Sequence, residues 1–269
     1  MPAFRLVVDR DYSAPFRHLA DPETIDVFHR FRFTGSTLDE SLRPLVQKLN
    51  MAGRTCALVE EREWKAAFFD MDSTVIAEES IVELARASGK AREVAAITER
   101  AMAGELDFAT ALRARVQMLA GVPDSIFETV SPTLTINPGM AAFAAAARAQ
   151  GIQLFLISGG FKPLAAVIAR ALGFDGYDAN ELAVKGHALT GELQGPLVDG
   201  TAKARFLEVT CATLGIARSA AIAVGDGAND LPMLKLAGAA FGYHPKPVLI
   251  PHIHGANFHD HRLLIHTLL

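Results

Sequence analysis

Two carboxylates that follow a short apolar stretch, Asp70 and Asp72, are the side chains best placed to do chemistry in this chain. The preceding residues 66–69, Ala-Ala-Phe-Phe, predict a buried strand. Side chains two apart in an extended segment lie on the same side. Both carboxylates can therefore face one small volume beyond the carboxyl end of the strand, where open α/β sheets bind ligands. Taken alone, the pair is better explained as an Asp-Ser loop that caps the next helix, and the motifs that follow reverse this preference.

Two more apolar stretches end in polar loops that contain glycine. Residues 152–157 precede Ser-Gly-Gly at 158–160, and residues 220–224 precede Gly-Asp-Gly-Ala-Asn-Asp at 225–230. If these strands are parallel neighbours of the first, all three loops meet at one edge of the sheet. Taken singly, each loop is more often an ordinary turn. Their order along the chain is far more specific than any one of them.

The residue types in these loops suit a phosphorylated ligand and a hard cation. Two acids held together repel one another, and a cation relieves the repulsion. Carboxylates without imidazole or thiolate neighbours favour Mg²⁺, with side-chain oxygens from Asp70 and Asp226 and the backbone carbonyl of Asp72. Ser158 and backbone N–H groups at a helix start would cradle an anion. Lys203, on the first turn of a predicted helix, would neutralise an acid and a phosphoryl group, although alone it fits a solvated helix residue.

The elements that must position these residues are typical of an α/β fold. From residue 137 onward, strand and helix patterns alternate, which predicts a doubly wound, Rossmann-like parallel sheet. Residues 77–130, directly after the Asp70 strand, show only helical periodicity broken by glycines. We expect this insertion to form a helical cap on a core domain of residues 65–269.

The first 64 residues predict a separate small α+β segment of two strands and a helix. The charged run at 60–63 would mark its junction with the core domain. None of its residues suggests catalysis. The segment fits a ligand sensor, a surface for forming a homodimer, or simple packing against the core.

The composition excludes several classes of protein. Half of the 269 residues are apolar, which is enough to form a hydrophobic core. The formal charge is −4, so the chain lacks the excess of positive charge that is typical of nucleic-acid-binding proteins. Cys56 and Cys211 are isolated, which argues against a zinc site or a disulfide framework. The first ten residues lack the apolar core of a signal peptide, and we find no stretch long enough to span a membrane. We therefore expect a soluble, cytoplasmic protein.

Histidines are concentrated near the carboxyl terminus and form two His-x-His pairs. We expect them to be surface residues, with an adventitious Ni²⁺ or Zn²⁺ site as the alternative. They are His252, His254, His259, His261 and His266.

The four motifs, taken together, resemble those of the haloacid dehalogenase superfamily. Its first motif is similar to Asp-Met-Asp-Ser-Thr-Val-Ile at 70–76 and its second to Ser-Gly-Gly-Phe at 158–161. The third resembles Val-Asp-Gly-Thr-Ala-Lys-Ala at 198–204, and the fourth resembles residues 225–230 and the Leu-Pro-Met-Leu that follows. Residues 98–119 also read like the cap of this superfamily's phosphoserine phosphatases. The likeness spans roughly residues 65–269.

The resemblance implies Mg²⁺-dependent hydrolysis of a small substrate, O-phospho-L-serine, to serine and phosphate. Asp70 would attack phosphorus and become an aspartyl phosphate. Asp72 would protonate the leaving oxygen and then take a proton from the attacking water, while Ser158 and Lys203 stabilise charge. Asp70, Asp226 and the carbonyl of Asp72 would hold the metal.

The resemblance also implies how the substrate is selected. Glu79 would take the ammonium group of phosphoserine and Arg115 its carboxylate. Without the resemblance, Glu79 fits a first-turn acid and Arg115 an exposed helix residue, with Arg113 as a competitor. The remaining substrate-binding residues are expected to be Met102 and Phe108 as apolar walls, with Ser158, Gly159, Gly160 and Asn229.

Two other functions are compatible with the same motifs. The chain would be a phosphatase or phosphotransferase for another small phosphorylated metabolite, or a catalytically silent sensor of the same fold. The sensor predicts a lost nucleophile, acid or metal ligand. Asp70, Asp72, Lys203 and Asp226 are all present.

Overall fold

One large sheet organises the molecule. In the computed structural model, which describes residues 2–34 and 38–269 except for the side chains of 38–41 and 102, this sheet has eleven strands. The strands are β1 (Ala3–Asp9), β2 (Glu23–Ile25), β3 (Phe28–Thr34), β4 (Cys56–Glu60), β5 (Ala66–Phe69), β6 (Gln153–Phe161), β7 (Gly176–Lys185), β8 (Ala188–Gln194), β9 (Ala221–Gly225), β10 (Ala239–Tyr243) and β11 (Gly255–Asn257). The helices are α1 (Leu38–Met51), α2 (Ser80–Ala87), α3 (Ala91–Met102), α4 (Phe108–Gln117), α5 (Ile126–Val130), α6 (Met140–Ala149), α7 (Lys162–Leu172), α8 (Gly200–Leu214), α9 (Leu231–Leu236) and α10 (Arg262–Leu268).

The centre of the sheet is parallel and its two flanks are antiparallel. The strand order is β2-β3-β1-β4-β11-β10-β9-β5-β6-β7-β8. The strands from β11 to β7 are mutually parallel, whereas β4 joins β11 and β8 joins β7 in antiparallel pairs. The predicted α/β class with a largely parallel sheet is confirmed. The order β9-β5-β6 also places the three polar loops side by side.

Strand β5 is buried on both faces, as expected of a strand with helices on either side. Phe68 packs on the face that carries α8 and α9, beside Leu207 and Met233. Phe69 packs on the opposite face, which carries α6 and α10, beside Phe143. Adjacent side chains of a strand point to opposite faces, so the apolar run at 66–69 serves two cores at once. This packing fixes the backbone that leads into Asp70.

The N-terminal segment extends the sheet. Strand β4 pairs with β11 in the register Ala57 opposite Gly255, and the N–H of Leu58 donates to the carbonyl of His254 at 2.9 Å. A separate apolar cluster, which includes Phe16 and Phe31, packs between the strands of this segment and α1. Of the three roles considered for the segment, packing against the core is the one with visible contacts.

Helices α2 to α5 form an insertion between β5 and α6, and the chain returns to the sheet after this insertion. The N–H of Asn137 donates to the carbonyl of Val75 at 2.9 Å, so the two ends of this insertion are joined. Among the described residues, no helix is long and apolar enough to cross a membrane.

Candidate active site

Polar residues that follow β5 and β9, and others near the carboxyl end of β6, surround one cavity of about 200 Å³, which the insertion covers. Strand β6 extends to Phe161, so the expectation that it ends before Ser158 is wrong. Ten of the residues singled out from the sequence line it, together with Ser80, Ile81, Leu112, Phe161 and Lys246. Those ten are Asp70, Asp72, Glu79, Phe108, Arg115, Ser158, Gly159, Gly160, Asp226 and Asn229. Lys203 lies behind this lining, against Asp70. Met102 ends α3, and its side chain lies outside the described part of the chain.

We call the buried polar residues at the strand ends the floor: Asp70, Ser158, Lys203, Asp226 and Asp230. We call three of the insertion residues that line the same cavity the cap wall: Glu79, Phe108 and Arg115.

A buried lysine links two carboxylates in the floor. The Nζ atom of Lys203 lies 2.6 Å from Oδ1 of Asp70 and 2.7 Å from Oδ1 of Asp230. Lys203 and Asp230 are completely buried, and the side chain of Asp70 is 5% exposed. Burial alone would lower the pKa of Lys203, but the negative charges of Asp230 and Asp70 raise it overall. The lysine therefore stays charged beneath Asp70.

Asp230 was not identified from the sequence as a site residue. Its Oδ2 atom accepts hydrogen bonds from the N–H groups of Asp226 and Gly227, at 3.0 and 3.1 Å. A Cβ atom at Gly225 would lie 2.4 Å from this carboxylate, so the close approach requires glycine. Its place at the end of the Gly-Asp-Gly-Ala-Asn-Asp motif could have pointed to Asp230. Its partner Lys203, however, lies 27 positions away in the sequence, so no local pattern predicts that the two residues pair.

The acids of the floor carry more negative charge than their protein partners neutralise. Asp70, Asp226 and Asp230 each present an oxygen within 4.8 Å of the others. Burial and the charges of Asp230 and Asp226 raise the pKa of Asp70, against the opposing effect of Lys203. Burial likewise raises the pKa of Asp226. An all-oxygen cluster of this kind fits a divalent metal ion.

Asp72 lies beside Asp70 in a different environment. Its Oδ2 atom accepts a hydrogen bond from the Ser80 hydroxyl at 2.7 Å, whereas Oδ1 is buried without a partner among the described residues. Burial, followed by the negative charge of Glu79, raises the pKa of Asp72 to about 7. A carboxyl group with this pKa can both give and take a proton near neutrality.

The loop at 158–160 forms a small anion cradle. The N–H of Gly160 donates to Oγ of Ser158 at 2.8 Å, which leaves the serine hydroxyl proton free to donate elsewhere. A Cβ atom at Gly160 would lie 2.6 Å from Oγ of Ser80 and 2.8 Å from Cε of Met71. A side chain at this position would have to displace Ser80 and Met71, so glycine favours the close approach of the two segments.

The cap wall is more exposed and has fewer protein partners. Glu79 is exposed, and its Oε1 atom accepts a hydrogen bond from the Ser73 hydroxyl at 3.0 Å. The Nε–H of Arg115 donates to the carbonyl of Ala111 at 3.3 Å, and burial lowers the pKa of Arg115. Arg115 lines the cavity, whereas Arg113 is exposed and does not.

Lys246 also reaches the cavity, and sequence reasoning did not identify it. Its Nζ atom lies 3.1 Å from Oδ2 of Asp226, and its N–H donates to the Asp226 carbonyl at 2.8 Å. The residue follows β10 in a segment without a recognisable motif, so only the fold brings it to Asp226.

The expectation that the C-terminal histidines are surface residues is wrong for His261. This side chain is completely buried and stacks on Tyr243 with ring centroids 4.3 Å apart. Its Nε2 atom is hydrogen-bonded to the Thr74 carbonyl at 2.9 Å, and burial lowers its pKa to about 4. The segment carries His261 into the core because β11 joins the sheet and α10 packs under α6. A neutral imidazole thus supports the loop that follows Asp70.

Fold and site together define a hydrolase with an acidic centre at the ends of parallel strands. The sequence profile of the haloacid dehalogenase-like hydrolases matches residues 67–235, and the chain belongs to this family.

Individual relatives are similar over the same region. A phosphoserine phosphatase from Albidiferax ferrireducens is 44% identical over 190 residues, which cover 68% of this chain and 80% of the relative. A structure titled as a substrate-bound phosphoserine phosphatase complex superposes with a TM-score of 0.72 at 34% identity, covering 78% of this chain and all of the other. A haloacid dehalogenase family hydrolase from Salmonella enterica serovar Typhi matches 99% of this chain and 98% of its own, with a TM-score of 0.85 and 27% identity.

Proposed function

We propose that this protein hydrolyses O-phospho-L-serine to L-serine and phosphate through an aspartyl phosphate on Asp70. The observation that carries the proposal is one cavity with two different ends. Buried Asp70, with Lys203 against it, lies at the floor, and Glu79 and Arg115 line the same cavity from the cap wall. Their opposite charges complement the carboxylate and ammonium groups of an amino acid.

The similar proteins support the same reaction. The relative described above is named a phosphoserine phosphatase. The structure of a phospho-aspartyl intermediate analogue of phosphoserine phosphatase is also similar, with a TM-score of 0.72 and 34% identity over 77% of this chain and all of the other. An intermediate of that kind requires a carboxylate at the position from which phosphorus is attacked.

In the first half-reaction, a carboxylate oxygen of Asp70 forms a bond to phosphorus while the bond from phosphorus to the seryl oxygen breaks. Asp72 gives its proton to that oxygen, and serine leaves. In the second half-reaction, Asp72 takes a proton from water as the water oxygen attacks phosphorus, which releases phosphate and restores Asp70. Dividing a very slow hydrolysis into two steps lowers each barrier.

The fixed charges of the floor favour both half-reactions. Lys203 opposes the rise in the pKa of Asp70 that burial causes. Because it lies against the attacking carboxylate, its positive charge would also stabilise negative charge on the phosphoryl oxygens. The hydroxyl of Ser158 donates to the same oxygens. Because these groups are already held in place, little reorganisation accompanies the reaction.

The acidic cluster fits Mg²⁺ as the cofactor. Asp70, Asp226 and the backbone carbonyl of Asp72 would hold it, and the donor set contains only oxygen. When bound, Mg²⁺ polarises the phosphoryl group and neutralises part of its charge.

Three expectations from the sequence stay predictions. They are the cytoplasmic location, the homodimer formed through residues 1–64, and the division into an N-terminal segment and a core domain of 65–269 with a cap at about 77–130.

A phosphate-release screen with and without Mg²⁺ tests the proposed function. Phosphoserine should give the highest kcat/KM among phosphorylated amino acids, sugars and p-nitrophenyl phosphate, and EDTA should abolish release until Mg²⁺ is restored. Ca²⁺ should substitute poorly because its coordination is larger and looser. Parallel reactions with homoserine distinguish hydrolysis from phosphoryl transfer. Full activity in EDTA, or a clear preference for a substrate without an amino-acid end, would contradict the proposal.

A further inference from the structure

The pairing of β6 with β7 is interrupted where β6 enters the cavity. Ser158 lies opposite Ala179, but the next partners are Phe161 and Asn180. Gly159 and Gly160 therefore have no partner residues in β7 and bulge toward the cavity that they line. Two consecutive glycines have a wide choice of backbone conformations. Something outside the loop must therefore hold the bulge in one of them.

The side chain of Asn180 makes the missing contact. This residue is 1% exposed, and its Nδ2–H donates to the carbonyl of Gly159 at 2.8 Å. The Oδ1 atom of the same amide accepts a hydrogen bond from the N–H of Val198, also at 2.8 Å. Both ends of one buried amide are thus bonded to backbone groups of two different loops.

The second loop leads to the buried lysine. Asp199 follows Val198 and caps α8, with its Oδ1 accepting a hydrogen bond from the N–H of Ala202 at 2.9 Å. Lys203 is the next residue of this helix. Asn180 therefore joins the loop that carries Ser158 to the segment that sets the start of the Lys203 helix.

The contact at Gly159 also fixes the hydroxyl of Ser158. The carbonyl of Gly159 and the N–H of Gly160 belong to one planar peptide group. Holding this carbonyl on Asn180 aims the N–H at Oγ of Ser158, to which it donates at 2.8 Å. If the peptide turned over, Ser158 would lose that donor and the cradle would present a carbonyl oxygen to an anion.

We propose that Asn180 is a positioning residue for the phosphoryl group, acting through the Gly159 peptide and the Val198 loop without touching the substrate. The inference rests on the proposed function only in requiring that the cavity takes a phosphoryl group.

Two substitutions at Asn180 test this role. Asn180→Asp keeps the acceptor for Val198 but replaces the donor to Gly159 with an oxygen. Asn180→Ser removes both hydrogen bonds of the Asn180 amide without burying a charge, so it can be used for the same measurements if Asn180→Asp does not fold. Asn257 provides matched controls, because it is 2% exposed and bonded at both ends in the C-terminal segment. Its amide donates to the carbonyl of Asp260 and accepts from the N–H of His259.

The readouts are the Kd of inorganic phosphate, measured by calorimetry with Mg²⁺ present, and kcat/KM for phosphoserine and p-nitrophenyl phosphate. Both Asn180 variants should raise the phosphate Kd, by about tenfold for Asn180→Asp, as expected for one lost hydrogen bond. They should lower kcat/KM for both substrates by a common factor. Asn257→Asp and Asn257→Ser should lower the Tm and leave both readouts unchanged.

Wild-type phosphate affinity and kcat/KM in the folded Asn180 variants would overturn the inference, as would equal losses in the Asn257 variants. A wild-type protein that neither binds phosphate nor hydrolyses either substrate would refute the proposed function instead.

Discussion

The floor and the cap wall face each other across one cavity but are built in opposite ways. Lys203, Asp230 and Ser158 are completely buried, and Lys203 is held by carboxylates from two loops. Phe108 in the cap wall is 39% exposed, and Glu79 is exposed as well. A rigid floor offers the same charges to any phosphoryl group. We infer that the floor performs the chemistry and that the cap wall, with fewer protein contacts, selects the substrate.

The largest effect should follow loss of the proposed nucleophile, Asp70. Asp70→Asn is nearly isosteric, but an amide cannot form the aspartyl phosphate, so kcat for phosphoserine and p-nitrophenyl phosphate should fall by about 10⁴-fold or more. Steady-state assays and the circular dichroism spectrum of the variant check that activity is lost while the fold is kept. Recovery of a hydroxylamine-sensitive phosphoenzyme from Asp70→Asn would assign the nucleophile elsewhere.

Removal of the buried cation should damage both activity and stability. Lys203→Met leaves Asp70 and Asp230 as uncompensated buried charges, which should cost about 3–5 kcal/mol in the free energy of unfolding. Lys162→Met is the matched control, because Lys162 is 43% exposed and pairs with surface carboxylates. Its cost should stay below about 1 kcal/mol. Equal losses in urea denaturation would mean that the floor is not specially dependent on its buried charge pairs.

The pH dependence of activity should show whether Glu79, in the cap wall, affects the protonation of Asp72. Asp72 must be protonated to act as an acid, and its pKa is raised to about 7. Activity should therefore decline as pH rises through 7, with kcat/KM for phosphoserine, whose seryl oxygen needs a proton to leave, falling about tenfold for each further unit. Because the charge of Glu79 contributes to that shift, Glu79→Gln should move the decline to lower pH. If the decline occurred at the same pH in Glu79→Gln as in the wild type, the charge of Glu79 would not influence the pKa of Asp72.

A smaller effect is expected at the apolar part of the cap wall. The ring of Phe108 lies against Gly159, since its Cζ atom is 3.2 Å from the position that a Cβ atom would take there. A partly exposed ring contributes less than the roughly 1.5–3 kcal/mol of a fully buried one. Phe108→Ala should therefore raise KM for phosphoserine about fivefold and leave kcat unchanged. If kcat fell by a larger factor than KM rose, Phe108 would contribute to the chemical step and not only to substrate binding.

The sequence predicted the site residues at the ends of the strands better than the site residues that reach the cavity only through tertiary packing. Asp70 and Asp226 directly follow strands and Ser158 lies near the end of one, so local pattern and the rule for parallel sheets suffice to bring them to one cavity. Lys246 and Ser80 follow no such pattern. Their places depend on how β10 and α2 pack, which periodicity does not specify.

The buried histidine shows the same limit. A polar segment with two His-x-His pairs is typical of a surface, yet three residues of β11 and the packing of α10 carry His261 into the core. The role of Asn180 could not be predicted from the sequence either, because its hydrogen bonds to Gly159 and Val198 depend on an irregular register between β6 and β7.

The division of labour between floor and cap wall is tested most directly by the ratio of kcat/KM for phosphoserine to that for p-nitrophenyl phosphate. In the proposed binding mode, Arg115→Ala removes a charge-assisted contact to the carboxylate of phosphoserine, and p-nitrophenyl phosphate has no such carboxylate. The ratio should fall about 30- to 800-fold. Ser158→Ala should lower both values and leave the ratio near that of the wild type. A ratio unchanged in Arg115→Ala, or lowered equally by Ser158→Ala, would contradict the assignment of selection to the cap wall.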